Sequence, residues 1–494
     1  MPDNLKVLIA TAEAQPLVKT GGLADVTASL PAALRKLSID ARILMPAYRG
    51  LTDRLQTHPV GPPFEALPGM RKMHLLRGVL PGSDVPVYLL DSPPLYDRPG
   101  SPYADQFGND HPDNAIRFGI LCNVAATFGT GPGHDDWRPD IVHGHDWHAG
   151  LASAYLNFDA RATAASVFTI HNLAFQGNFD RKVRHALGID SLAFHMDGLE
   201  FHGHLSFMKS GLFYADEVTT VSPTYAREIM EPELGCGMDG ILRRHENRVS
   251  GILNGIDLDH WDPATDPVLA ANYSRDDLTG KRACALELCE WFELEGEGPV
   301  LGMLGRMTGQ KGWDMLLDAA PGLIETGARL ALIGEGNARY EAGIAALQRH
   351  YPGRVGHLAT FREDSAHRLV AGADMLVVPS LFEPCGLVQM YALRYGTLPL
   401  VHRTGGLADS VGQITRASLA DESGTGFLFE QPHGRALLAS GLEALALYRD
   451  EPETWRQAQL NGMKQDVGWR QSAERYLAVY QRALDSRRDR SAAS

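Results

Sequence analysis

Cysteine is scarce and poorly placed for either of its structural uses. Cys122, Cys236, Cys284, Cys289 and Cys385 are the only five in 494 residues. This odd, sparse set offers no disulfide framework, and Cys284 and Cys289 have no second pair to complete a zinc spacing. Such usage suits a reducing, cytoplasmic setting. No run reaches the roughly 18 apolar residues of a membrane span, so no membrane partner is expected. The opening MPDNLKVLIATAEA lacks the basic start and apolar stretch of a secretory signal. Basic residues are in deficit: 46 Lys+Arg against 60 Asp+Glu leave a net charge of −14. That argues against nucleic acid or an anionic membrane as the main partner, and an anionic ligand would need a local basic pocket. No low-complexity block or coiled coil is present.

What remains is ordinary globular material, 44% hydrophobic and 21% charged, long enough for two large domains. Short apolar runs alternate with amphipathic stretches. Strands are expected at 6–11, 41–48, 86–91, 140–146, 166–172 and 217–222, then at 299–305, 328–336, 374–380 and 397–402. Helices are expected at 23–37, 312–326 and 385–396. Fully apolar strands alternating with helices indicate an α/β chain of parallel sheets covered on both faces, arranged as two Rossmann-like domains. The Asp-, Pro- and Gly-rich stretch at 252–267 marks the boundary. The expected division is 1–253, 254–466, a C-terminal helix at 467–486, and a disordered tail at 487–494.

In open parallel sheets, ligands bind beyond the carboxyl ends of the strands, and five strings fall there. After the first strand come Glu13 and Lys19-Thr20-Gly21-Gly22. Two glycines let backbone approach a ligand, the helix start favours anions, and Lys19 adds a charge. The turn matches neither G-x-G-x-x-G nor a P-loop, and an ordinary glycine-rich turn stays open. VHGHDWHAGL (142–151) suggests a metal site, but His143 and His145 share a strand face while Asp146 and His148 fall in the next turn. A polar pocket is the better reading, with Asp146 accepting from sugar hydroxyls. TIHN ends a strand at His171 and Asn172, either a capped core histidine or a hydroxyl-binding pair. LGRMTGQKGWD places Arg306 and Lys311 on one loop, which suits a diphosphate better than two solvated charges. In PSLFEPCGLVQ, Glu383 precedes a helix expected to start at Pro384, whose first-turn amides at Gly386, Leu387 and Val388 could hold phosphate oxygens. Dipole compensation is the bland account of Glu383. Cys385 reads as packing or ligand contact, because no His or second Cys sits beside it.

The string TGGLAD occurs twice, at Thr20–Asp25 and Thr404–Asp409. The first follows the first strand of one domain and the second a late strand of the other, so the echo is no mark of duplication. Each reads as a Gly-Gly turn opening a helix at a strand end, and Thr404, Gly405 and Gly406 are expected to touch the same ligand as Lys19.

Taken together, KTGGLADV, DRPGSPY, HDWHAGL, TIHNLAFQGNF, ADEVTTVSPTYAREI, GILNGID, QKGWD, FEPCGL and YGTLPLVHRTGGLADSV resemble the starch/glycogen synthase family of retaining GT-B glycosyltransferases. The likeness runs from about residue 6 to about 485. It implies a GT-B fold, with two Rossmann-like domains separated by a deep cleft and a C-terminal helix crossing back. It also implies glucose transfer from ADP-glucose to the non-reducing end of an α-1,4-glucan with retention. By resemblance Arg306 and Lys311 neutralise the diphosphate, assisted by the amides of Leu387 and Val388 beside Cys385 and Gly386. Glu383 holds glucose hydroxyls and supports an oxocarbenium-like transition state. Lys19, Gly21 and Gly22 approach the phosphates, and His171 and Asn254 bind the donor glucose. Glu13, Tyr103, Asp146 and Asn172 line the acceptor side. No cofactor and no metal are expected, since the two cations do the work of Mg²⁺. The expected partners are ADP-glucose and glycogen, with a homo-oligomer left open.

Tyr391 stands where many relatives of the wider GT-B group carry a second Glu, as is usual in this subfamily, and the sequence departs from common patterns at Leu381 and Gly305. Adenine contacts are not legible, so ADP-glucose over UDP-glucose rests on the resemblance. The competing readings are a related transferase with another donor or acceptor, and a non-catalytic glucan-binding protein. A phosphorylase would need a pyridoxal phosphate lysine that cannot be placed.

Overall fold

A computed structural model describes residues 4–131, 135–360 and 362–493. The chain divides into two compact units, Met1–Asn254 with Trp469–Ser494, and Gly255–Gly468.

The first unit is built on β1 (Lys6–Ala10), β2 (Asp40–Pro46), β3 (His58–Pro59), β4 (His74–Val79), β5 (Pro86–Asp91), β6 (Ile141–His145) and β7 (Ala165–Ile170). A small antiparallel sheet of β8 (Asn178–Asp180), β9 (Glu200–Phe201) and β10 (His204–Ser206) follows, then β11 (Glu217–Thr220) and β12 (Val249–Gly251). The large sheet runs β12-β11-β7-β6-β1-β2-β5-β4-β3. Its strands pair in parallel except at the β5-β4-β3 edge, which is antiparallel. On β1, Leu8 and Ala10 enter one core while Val7 and Ile9 enter the other. A strand apolar on both faces must be covered on both.

Val26, Leu30 and Leu34, one stripe of the helix Gly22–Lys36, cover the second face. So do Ala473, Tyr476, Tyr480 and Ala483 of the helix Trp469–Ala493. Each fully buried side chain of this kind contributes about 1.5–3 kcal/mol. At the point where the chain leaves this unit, Ile252 belongs to the same core, and Ser472 donates its hydroxyl to the carbonyl of Leu253. The tail expected to be disordered from 487 is helical through Ala493, with Ser494 outside the described residues. Two of its charges are held by the unit: Arg487 donates to the carbonyl of Ala162 and Arg490 pairs with the buried Asp216.

The second unit holds β13 (Val300–Leu304), β14 (Arg329–Ile333), β15 (Val355–Leu358), β16 (Met375–Val378), β17 (Leu398–His402) and β18 (Phe427–Phe429). All pair in parallel in the order β15-β14-β13-β16-β17-β18. This is the 3-2-1-4-5-6 order of a Rossmann sheet, whose ligand crevice opens where the order reverses. Here the reversal lies between β13 and β16. In the first unit it lies between β1 and β6. No helix among the described residues is long and apolar enough to cross a membrane.

Candidate active site

The loops after β13 and β16 interlock at the reversal point of the second unit. The amide of Leu381 donates to the carbonyl of Gln310 at 2.8 Å, and the Gln310 side chain returns a bond to the carbonyl of Phe382 at 3.3 Å. This brings Lys311 Nζ to 2.6 Å from Glu383 Oε2, with only a tenth of the Glu383 side chain exposed. Ser380 donates its hydroxyl to the same oxygen at 2.8 Å. An ammonium and a hydroxyl converging on one oxygen fix the orientation of the carboxylate. Both bonds fall on Oε2, so Oε1 is the acceptor available to a ligand. Arg306, exposed on the same loop, is anchored through its carbonyl, which accepts from Trp313 Nε1 at 3.1 Å. His402 at the end of β17 holds the Ser380 carbonyl at 2.8 Å.

The helix expected from Pro384 begins only at Val388 and runs to Arg394. Gly386 has φ +68°, a left-handed conformation that a right-handed helix cannot contain. Pro384, Cys385 and Gly386 therefore form a loop, and Leu387 caps the helix. That loop rests on the second TGGLAD. The Gly406 amide donates to the Glu383 carbonyl at 3.1 Å, and a Cβ on Gly405 would lie 2.0 Å from that carbonyl oxygen. The first copy differs, since a Cβ on Gly21 would meet nothing within 4 Å. One Gly-Gly turn props up the Glu383 loop, and the other borders open space.

In the first unit, the buried Glu13 after β1 accepts from the amide and hydroxyl of Thr20 and from the Tyr103 hydroxyl. Burial and the neighbouring Glu13 carboxylate raise the Tyr103 phenol well above its ordinary pKa, keeping it a donor. His148 stacks on Tyr103 at 4.8 Å. Lys19 bridges Gln15 at 2.9 Å and Asp25 at 2.7 Å.

Asp146, just beyond β6, has φ +56° and ψ −178°, a region that is nearly glycine-only and costs about 1–3 kcal/mol. Its Oδ1 accepts from the backbone amides of His171 at 2.9 Å and Asn172 at 3.3 Å. Burial pushes its carboxyl up to about 7. Sequence alone casts Asp146 as a direct sugar acceptor, whereas here it first shapes the end of β7. His171 Nε2 lies 2.8 Å from His145 Nδ1, and burial lowers His171 to about 3, so the imidazole is neutral. His143 bonds to Tyr480 and Thr169, so the three histidines of VHGHDWH point to different partners. Asn172 accepts from the amide of Ala174 at 3.0 Å. Asn254 is buried with Oδ1 unpartnered, the state of a group that awaits a ligand hydroxyl.

The structure thus joins Arg306, Lys311, Glu383, Cys385, Gly386, Leu387, Val388, Thr404, Gly405 and Gly406 on adjoining loops of one unit. Glu13 and Tyr103 share a cluster in the other unit, and Asp146, His171 and Asn172 share a second. Sequence reasoning missed Ser380, the contact of Thr20 with Glu13 and that of His145 with His171. Ser380 stands three residues from the carboxylate it holds, just beyond the end of β16, and Thr20 seven from its own, just before the helix Gly22–Lys36, so position was the available signal.

Residues 6–244 match the family described as the starch synthase catalytic domain, and residues 298–446 match glycosyl transferases group 1. A glycogen synthase from Dechloromonas aromatica is 45% identical over 98% of this chain and 99% of its own length. One from Thioalkalivibrio sulfidiphilus is 46% identical over 96% and 99%. Among solved structures, the catalytic domain of starch synthase IV from Arabidopsis thaliana, bound to ADP and acarbose, is 30% identical. It superimposes with a TM-score of 0.87 over 98% of this chain and 99% of that one. A sucrose-phosphate synthase from Thermosynechococcus elongatus, 18% identical with a TM-score of 0.56, covers 98% and 100% and supports the fold alone.

Proposed function

The chain belongs to the glycogen and starch synthase family, with a GT-B fold, and on that basis we propose that it elongates an α-1,4-glucan from ADP-glucose. Glucose passes to the non-reducing end with retention of configuration, in the cytoplasm. The observation that carries this reading is the Lys311–Glu383–Ser380 cluster at the reversal point of a Rossmann sheet. Supporting it is the ADP held by the starch synthase that superimposes on the whole chain.

Arg306 engages the diphosphate through its planar fork and Lys311 as a point charge, so charge on the departing ADP is neutralised without a metal. Glu383 accepts from glucose hydroxyls and stabilises positive charge developing at the anomeric carbon. Among the described residues we assign no carboxylate as a covalent nucleophile, and we take the acceptor hydroxyl to attack on the face the diphosphate leaves. The leaving phosphate oxygen takes the hydroxyl proton as the C1–O bond to ADP breaks and the new glycosidic bond forms. We assign Lys19, Gly21 and Gly22 to the phosphates and His171 and Asn254 to donor hydroxyls. Glu13, Tyr103, Asp146 and Asn172 go to the acceptor side, with Asp146 acting through the backbone it holds. A neutral His171 is suited to a hydroxyl and adds no charge.

Turnover of ADP-glucose and UDP-glucose with a glycogen primer tests the donor assignment. Higher kcat/KM for ADP-glucose is expected; equal or higher values with UDP-glucose would overturn it.

A further inference from the structure

Away from the residues assigned to transfer, the second unit gathers His260, Glu363 and His367. One ligand atom from each lies within 4.8 Å of the others. Glu363 and His367 are four apart on the helix Glu363–Gly372, so they project from one face. His260 comes from a segment about a hundred residues earlier, with Nε2 2.5 Å from Glu363 Oε1.

The support behind His367 distinguishes this cluster from a surface ion pair. His367 is buried, and its Nδ1 lies 2.6 Å from Asp266 Oδ2, which also accepts from the Tyr395 hydroxyl at 2.6 Å. A carboxylate on one imidazole nitrogen fixes the proton there and turns the lone pair of the other outward, as behind metal-bound histidines. The ring is also clamped by Trp261, stacked on it at 3.8 Å and 11°.

We propose that His260, Glu363 and His367 bind one divalent transition-metal ion of zinc type, with His367 oriented by Asp266. Two imidazoles and a carboxylate are a zinc ligand set that leaves a fourth position for water. Ligands about 2.0–2.1 Å from a tetrahedral zinc are about 3.3 Å apart. The His260–Glu363 contact must open slightly and the longest separation must close, which an exposed His260 permits. The ion takes the place of the His260–Glu363 hydrogen bond, with His260 coordinating through Nε2 as a neutral imidazole that carries its proton on Nδ1.

The ion would tie the 257–262 segment to the helix Glu363–Gly372. Trp261 stacks with its other face on Tyr391 at 3.7 Å and 8°, in the helix that follows the Glu383 loop. The site is structural, separate from the transfer chemistry.

The test uses the full chain, stripped with chelator and titrated with zinc chloride, then with cobalt(II). Expected are one tightly held zinc per chain, a raised Tm, and affinity at least about tenfold weaker in His260→Ala and in Glu363→Gln. Cobalt should give tetrahedral d–d bands without a thiolate charge-transfer band. Failure to hold zinc, unchanged affinity in both variants, or a thiolate band would each overturn the proposal. His260 is exposed, so its variant folds and the comparison stands.

Discussion

Replacing Asp146 separates three roles that the structure gives one side chain. Its Oδ1 accepts two backbone amides, from His171 and Asn172. Each bond is worth about 1 kcal/mol net, and amides left buried and unpaired cost more. Asp146→Ala should therefore lose about 2–3 kcal/mol, with no relief of the positive φ. Asp146→Asn keeps the acceptor and the side-chain shape and leaves the backbone strain unchanged, so its loss should be under about 1 kcal/mol. Asp146→Gly loses both bonds but recovers about 1–3 kcal/mol of backbone strain and should fall between the two.

The pH dependence adds a check. Burial raises the folded-state pKa from its ordinary 3.8 to about 7. A raised folded pKa contributes stability fully present below pH 3.8 and lost as pH rises toward and through 7. That rise is worth roughly 4 kcal/mol. Asp146→Asn, which cannot ionise, should compare more favourably with wild type at pH 8 than at pH 5. Thermal unfolding of the first unit at the two pH values measures this. Equal destabilisation by Asn and Ala, or a pH-independent difference, would refute the reasoning.

Lys311→Ala should raise the KM for ADP-glucose by roughly a hundredfold, from loss of about 2–3 kcal/mol of charge-assisted contact, read in steady-state kinetics. Glu383→Ala should lower kcat by about 10²–10³, and a near-normal kcat would remove it from the mechanism. Ser380→Ala, which frees one side of the same carboxylate, should cost about tenfold in kcat with little change in KM. His143, His148 and His171 are lowered to about 3 by burial, and His145 well below its usual value. Depressed imidazoles bind fewer protons folded than unfolded, so their contribution is full above pH 6.5 and falls away as pH drops toward 3. Four such groups outweigh Asp146, and the Tm of the first unit should fall from pH 6.5 to 4.5; a flat profile would contradict this.

The cluster around Glu383 was legible because apolar strands such as VLGML and MLVV end abruptly in charged or hydroxyl residues. The sheet rule then puts those ends at the ligand edge. What escaped was set by backbone conformation or by distant partners. Proline usually opens a helix, but Gly386 at φ +68° delays the start to Val388. Asp146 looked like a sugar acceptor, since neither its positive φ nor its two backbone bonds leaves a trace in composition. The charged C-terminus looked disordered because Ala162 and Asp216, which hold it, are hundreds of residues away. The edge strands β3 and β4 and the three-residue β18 are too short or too polar to show periodicity. Identical TGGLAD strings gave no hint that one packs on the Glu383 loop while the other faces open space.

The most direct test of glucosyl transfer is ADP release from ADP-glucose by the full chain, with and without glycogen. The account predicts release that depends on glycogen, with glucose added in α-1,4 linkage, and its near-abolition in Glu383→Ala. Glycogen binding without ADP release would contradict it.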